Sequence, residues 1–179
     1  MSQSSKMRKA LDKYVIPNLT ENGFVGEYPH YKRRYDDRIE LLTFQKNRFG
    51  NSFTIEISAV FLDTKRDSNC YTWDFQTAEE VNVWSTNIRY RLKGMFDGWF
   101  YYTDVYCQKT GSLTFYNAIS ETKAKTYIPL KNEKLVQKAD EDIYYKVCCE
   151  VNKQMKNAYK WWDAFYKNNK LKMKLLEII

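Results

Sequence analysis

The chain has 179 residues, 44% of them hydrophobic and 28% charged, a globular make-up that excludes extended disorder. Aromatic residues reach 17%, while Gly and Pro number only 6 and 3, which excludes long irregular linkers. The formal net charge of +7 suits an anionic partner, but Lys, Asn, Tyr and Ile are abundant together, and AT-rich codons alone give the same balance.

Residues 6–22 read as a first helix, because Met7, Ala10, Leu11, Tyr14 and Val15 recur at helical spacing. Pro17 kinks that helix or starts a further turn, since it lacks the donor a continuing turn needs. Gly23 stands where a left-handed C-cap belongs, and Phe24 returns the chain to the core. The period then changes to two. Strands are predicted over residues 29–35, 38–46 and 52–62. Asp36-Asp37 turns the first pair and Phe49-Gly50-Asn51 the second. In the last strand Phe53, Ile55, Ile57, Ala59 and Phe61 alternate with Thr54, Glu56, Ser58 and Val60. That is the pattern of a strand with one buried face.

Residues 63–69 are polar and read as a loop. Residues 81–92 and 99–107 form a further predicted strand pair around the Asp97-Gly98 hairpin signal, with a turn at 109–112 and a short strand at 113–116. From Asn132 onward the pattern is helical. Tyr144, Cys148, Val151, Met155, Ala158, Trp162 and Phe165 step by four and three, making one apolar stripe opposite Lys146, Lys153, Lys160 and Lys167. Asn168 and Asn169 end that helix, and residues 170–179 form a short amphipathic segment. The stripe packs on a sheet or forms a coiled-coil seam in a homodimer. Val147 and Trp161 widen it toward sheet packing. The expected fold is a single α+β domain over 1–179. It has an antiparallel sheet of about five strands, an N-terminal helix, and a long C-terminal helix on the sheet, with residues 132–179 as the helical part.

The stretch "YVIPNLTENGF" followed by "YKRRYDDRIELLTFQKNRFGNSFTIEISAVF" carries a resemblance. So do Arg89, Arg91 and Leu92 in an "R-x-R-L" step, and Asp97, Trp99 and Phe100 in a "D-x-W-aromatic" step. Over about residues 8–105 the chain resembles a bacterial domain-of-unknown-function family, number 4304. Trp99-Phe100 stands where that family has two tryptophans. The resemblance implies the same helix-plus-sheet fold and a bacterial cytoplasmic origin. It implies no activity.

The chemistry that motifs could carry is sparse. His30 is the only histidine, and a lone strand histidine among basic residues reads as structural rather than catalytic. Cys70, Cys107, Cys148 and Cys149 make no CxxC pair, so reduced thiols are expected and no metal site. Neither GxxxxGK[ST] nor GxGxxG occurs, so no nucleotide or other cofactor is expected. The N-terminus has no signal-like apolar stretch, and no apolar run approaches the roughly 18 residues of a membrane span; a cytoplasmic location follows.

The candidate binding residues are Lys32, Arg33, Arg34 and Arg38 on the first hairpin, Lys46 and Arg48 beside the tip, and Trp99 and Tyr101 in "WFYY". Each has a plainer reading, as a solvated charge or a sheet aromatic. If Tyr31, Leu42 and Phe44 face the core, His30, Lys32 and Arg34 share the outer face, and a one-residue slip reverses this. The leading expectation is a non-catalytic binding or accessory protein that meets another protein, in one version an immunity-type inhibitor. Nucleic-acid binding through the basic, aromatic-rich sheet is the alternative. An enzyme using His30, Asp97 and Arg91 is the second alternative.

Overall fold

The first helix starts on a side-chain cap: Ser2 Oγ accepts from the Ser5 amide at 3.2 Å, ahead of α1 (Gln3–Tyr14). This computed structural model describes residues 2–48, 52–62, 81–94, 98–102, 105–109, 112–116, 123–127 and 141–176. Pro17 breaks the predicted helix in two. It sits in the first turn of α2 (Ile16–Glu21), where its missing N–H leaves no bond unmade. Gly23 then takes φ 83° and Phe24 N donates to Leu19 O at 3.0 Å, the expected left-handed cap.

The strands β1 (Val25–Glu27), β2 (His30–Arg34), β3 (Arg38–Lys46), β4 (Ser52–Phe61) and β5 (Tyr90–Arg91) lie side by side in that order in an antiparallel sheet. A sixth, β6 (Phe100–Tyr101), also pairs with β4. With an N-terminal helix and the C-terminal α3 (Glu141–Leu176), the class is α+β. Among the described residues, the expected pairing of 81–92 with 99–107 is not seen. Asn82 Oδ1 accepts from Trp84 N at 2.8 Å and caps a 3-10 turn, Val83–Ser85. The short β5 and β6 each take β4 as partner instead.

The chain divides into two compact units. One comprises residues 19–45, 55–92 and 154–179. The strand β4, of which residues 55–61 fall in this unit, is covered on both faces, which corrects the one-face expectation, for all ten of its residues are buried. On one face Phe61 stacks on Phe165 with ring centroids 6.1 Å apart, and Trp162 Nε1 donates to Ser58 O at 2.8 Å. On the other, Ile39, Leu41, Val60, Val81 and Val83 form a second apolar cluster. Polar residues survive on this covered face because they are hydrogen-bonded; Ser58 Oγ donates to Ile88 O at 2.7 Å.

The other unit comprises residues 1–18, 46–54 and 93–153. Tyr102 sits between Phe53 and Tyr144, with centroids 6.5 and 6.1 Å away, and its hydroxyl meets Ser4 Oγ at 3.0 Å. Asn152 Nδ2 donates to Tyr14 O at 2.8 Å and so satisfies a carbonyl left open at the end of α1. This unit also holds a three-stranded antiparallel sheet of β7 (Val105–Lys109), β8 (Ser112–Tyr116) and β9 (Lys123–Tyr127).

The stripe on α3 is covered by its own chain. Tyr144, Cys148, Val151, Met155, Ala158 and Trp162 are buried, and Phe165 is half-buried. Lys146, Lys153, Lys160 and Lys167 are exposed. The helix does not end at Asn168 and Asn169 but runs 36 residues to Leu176. Asparagine costs less than about 0.7 kcal/mol relative to alanine, and no Gly or Pro follows to enforce a stop. Among the described residues, no helix is long and apolar enough to cross a membrane. The expectations for residues 49–51, 63–69, 95–97 and 132–140 lie outside the described residues.

Candidate functional site

The register of β2 on β3 sorts the basic cluster onto two faces. Arg33 lies opposite Glu40, Lys32 opposite Leu41 and Arg34 opposite Ile39, so Arg33 projects away from Lys32 and Arg34. Glu40 is 1% exposed. Arg33 reaches its Oε2 through Nε at 2.9 Å and Nη2 at 2.6 Å, and Arg38 Nε reaches Oε1 at 3.3 Å. The Arg33 guanidinium lies 4.9 Å from the Phe24 ring and 5.3 Å from Tyr159. Arg38 lies 3.9 Å from Tyr35 and 4.2 Å from Tyr166. A buried carboxylate needs such partners, and cations held over rings gain further attraction. Arg33 and Arg38 are therefore parts of the core boundary.

Glu56 repeats the arrangement. Its Oε1 accepts from Arg91 Nε at 3.2 Å and Nη2 at 2.7 Å, with Arg89 Nη1 3.7 Å from Oε2. Leu92 beside them is fully buried. The "R-x-R-L" step thus anchors an edge of the sheet. Arg91 is held by Glu56 and His30 by Thr43, and Asp97, the third residue of the enzyme alternative, lies outside the described residues.

A cleft opens where β1 meets β2. Its volume is about 260 Å³, and it is lined by Val25, Gly26, Glu27, His30, Tyr31, Lys32, Leu42, Val81 and Asn82. The strand register builds it as two rungs on one face. One rung is Glu27, His30 and Thr43; the other is Val25, Lys32 and Leu41. Between them lies the Gly26–Tyr31–Leu42 rung, which turns its side chains to the opposite face and leaves backbone as the floor. Gly26 is required there. It has φ 133°, and a Cβ would stand 2.5 Å from His30 O.

His30 Nδ1 lies 2.9 Å from Thr43 Oγ1, and the ring meets Trp84 edge-on with centroids 4.7 Å apart. Burial pushes the His30 pKa below its ordinary value, so the ring is neutral at pH 7. Carboxylate, imidazole and hydroxyl stand in one rung, yet this is no nucleophilic triad. Thr43 is fully buried, and no substrate can reach its hydroxyl. The short strand β1, which completes the cleft, was not visible in the sequence. The "GEYPH" turn around Gly26 is the signal that would have revealed it.

The remaining candidates are dispersed. Arg34, Lys46 and Arg48 are exposed, and Lys32 is half-buried. Asn47 closes the chain beside the tip, its amide donating to Ser52 O at 2.9 Å. Trp99 is half-buried and Tyr101 is buried, while Phe100 stacks on Phe53 at 5.3 Å. The "WFYY" run is therefore largely sheet core. Cys148 is buried with its thiol pushed up to about 12 by desolvation, and Cys149 is exposed. Among the described residues, no group of three or more His, Cys, Asp or Glu is placed to hold a metal ion.

No curated protein and no solved structure matches this chain. A family profile described as "Domain of unknown function (DUF4304)" matches residues 15–170. The match starts later than the 8–105 of the sequence resemblance but runs well past its end, and it takes in the long helix as far as residue 170, the buried Glu40 and Glu56 clusters and the His30 cleft alike. The chain therefore belongs to the DUF4304 family.

Proposed function

We propose that this protein is a non-catalytic binding or accessory protein of the bacterial cytoplasm, whose partner is another protein. The carrying observation is the exposed apolar surface of one unit. Val25 is 60%, Trp84 47% and Ile88 49% exposed. Val25 pairs with Lys32, and Trp84 meets His30 on the face that Lys32 and Arg34 share; exposed large side chains beside cations are the material of an interface. The reading also draws on how the acids and the histidine are employed. Glu40 and Glu56 are neutralised by arginines, and the His30 partner hydroxyl is sealed.

An immunity-type inhibitor is the specific version of this reading. Mixing the protein with the product of an adjacent toxin-like gene should give a complex at micromolar concentration. Trp84→Ala and Arg34→Glu should each weaken it tenfold or more, on the order of a hot-spot loss. No complex, or a complex insensitive to both changes, overturns the proposal.

Nucleic-acid binding is the second reading, favoured by Lys32 and Arg34 projecting to the face that carries the exposed Trp84 ring. Retention of single-stranded nucleic acid that falls steeply with salt would support it over the first.

A further inference from the structure

The strand order ends at β1, and that edge is open. Among the described residues, no strand lies beyond β1, and Val25, Gly26 and Glu27 are all exposed. The bonding phase of the sheet says which of their groups point outward. Phe44 N donates to Pro29 O at 2.9 Å and Tyr35 N to Arg38 O at 2.8 Å, so by alternation the odd-numbered residues of β2 bond to β3. His30 and Lys32 then turn their backbone N–H and C=O groups toward β1, where they face Glu27 and Val25. That leaves the N–H and C=O of Gly26, between those two, on the open side. A glycine there puts no side chain in the way of a second backbone. An exposed edge of this kind is a template for one more strand.

The side chains flanking Gly26 choose the occupant. Val25 and Glu27 project from β1 on the same face, one apolar and one acidic. A second copy of this edge, paired antiparallel about Gly26, sets Val25 of each copy against Glu27 of the other, a mismatch at both positions. We infer that β1 takes an extended segment of the partner protein as an added antiparallel strand, and that this segment reads basic, any residue, aliphatic. From its N-terminus, the basic residue stands opposite Glu27. The middle residue exchanges both main-chain bonds with Gly26, and the aliphatic residue covers Val25. The inference rests on the protein-partner reading above and names the part of the partner that is recognised.

The test uses the full chain and the probe N-acetyl-Thr-Lys-Thr-Val-Thr-amide, with amide chemical shifts as the readout. The probe should bind saturably, with an affinity on the order of millimolar, and should move the Gly26 amide. N-methylation of its central residue removes the donor to Gly26 O and should abolish binding. Replacing its lysine by glutamate should weaken binding at least about twofold, and the Glu27→Lys variant, shown folded by far-UV dichroism, should reverse that preference. Absence of saturable binding overturns the inference. So does equal binding of the N-methylated probe, or a preference that Glu27→Lys leaves unchanged. A dimeric mass of the free chain in light scattering, with the Gly26 amide protected from exchange, assigns the edge to a second copy and overturns it as well. A toxin-like partner that is captured while the probe fails overturns this inference alone and leaves the binding-protein reading standing.

Discussion

The indole of Trp162 on α3 donates its N–H to the Ser58 carbonyl of β4 at 2.8 Å, with the tryptophan 1% exposed. One side chain thus supplies both apolar contact and a directional bond between helix and sheet, and it fixes the helix register. Trp162→Phe keeps most of the area but leaves that interaction unmade. It should lower the unfolding free energy by about 1–3 kcal/mol in urea titration. Trp162→Ala should cost about 3–5 kcal/mol.

Arg33 should matter more for stability than an exposed arginine does. Arg33→Met leaves Glu40, which is 1% exposed, with Arg38 as its remaining cation. Breaking such a pair from one side costs about 3–5 kcal/mol. The double change Arg33→Met with Glu40→Leu should recover much of that loss. Comparing the single and double variants by chemical denaturation checks the coupling. A single variant as stable as the parent would show that Glu40 does not depend on Arg33.

Val151 tests the covering of the helix stripe. Its side chain is fully buried within one chain. Val151→Asp places a carboxylate there without a partner and should abolish cooperative unfolding. A variant that stays folded but loses a dimeric mass in light scattering would assign the stripe to a seam between two copies.

Gly26 should resist replacement. Gly26→Ala must accommodate a Cβ 2.5 Å from a backbone carbonyl at φ 133°, and no flexible side-chain atom is there to move aside. A loss of about 1–3 kcal/mol is expected, together with distortion of the cleft floor. Thermal melting and amide exchange of residues 25–32 report the two effects separately.

His30 makes stability depend on pH in a definite direction. Its folded pKa lies below the ordinary value of 6.5, because desolvation disfavours the imidazolium. The unfolded chain therefore binds the proton more readily. The contribution is fully present above pH 6.5 and is lost as pH falls toward the folded pKa. Unfolding titrations between neutral and mildly acidic pH should show this loss in the parent. His30→Gln should lack that component of the slope.

Much of the architecture was legible in the order of residues. The four-three stripe on α3, the β2–β3 hairpin and the Gly23 cap were readable because periodicity and a left-handed backbone position are local properties. The class followed from them, and the family was legible because "YVIPNLTENGF" and the "R-x-R-L" step are contiguous stretches. The tertiary structure decided which arginines are internal. Alternation separates Arg33 from Lys32 and Arg34, but it does not say which face receives a helix, and here both faces of β4 are covered. Only the folded chain brings Glu40 between Arg33 and Arg38 and Glu56 against Arg91. It alone sets β1 beside β2, so that Glu27, His30, Lys32 and Asn82 line one cleft. Glu56 and Arg91 are 35 residues apart in sequence, and even for the nearer pairings the cost and gain depend on burial, which no local pattern encodes.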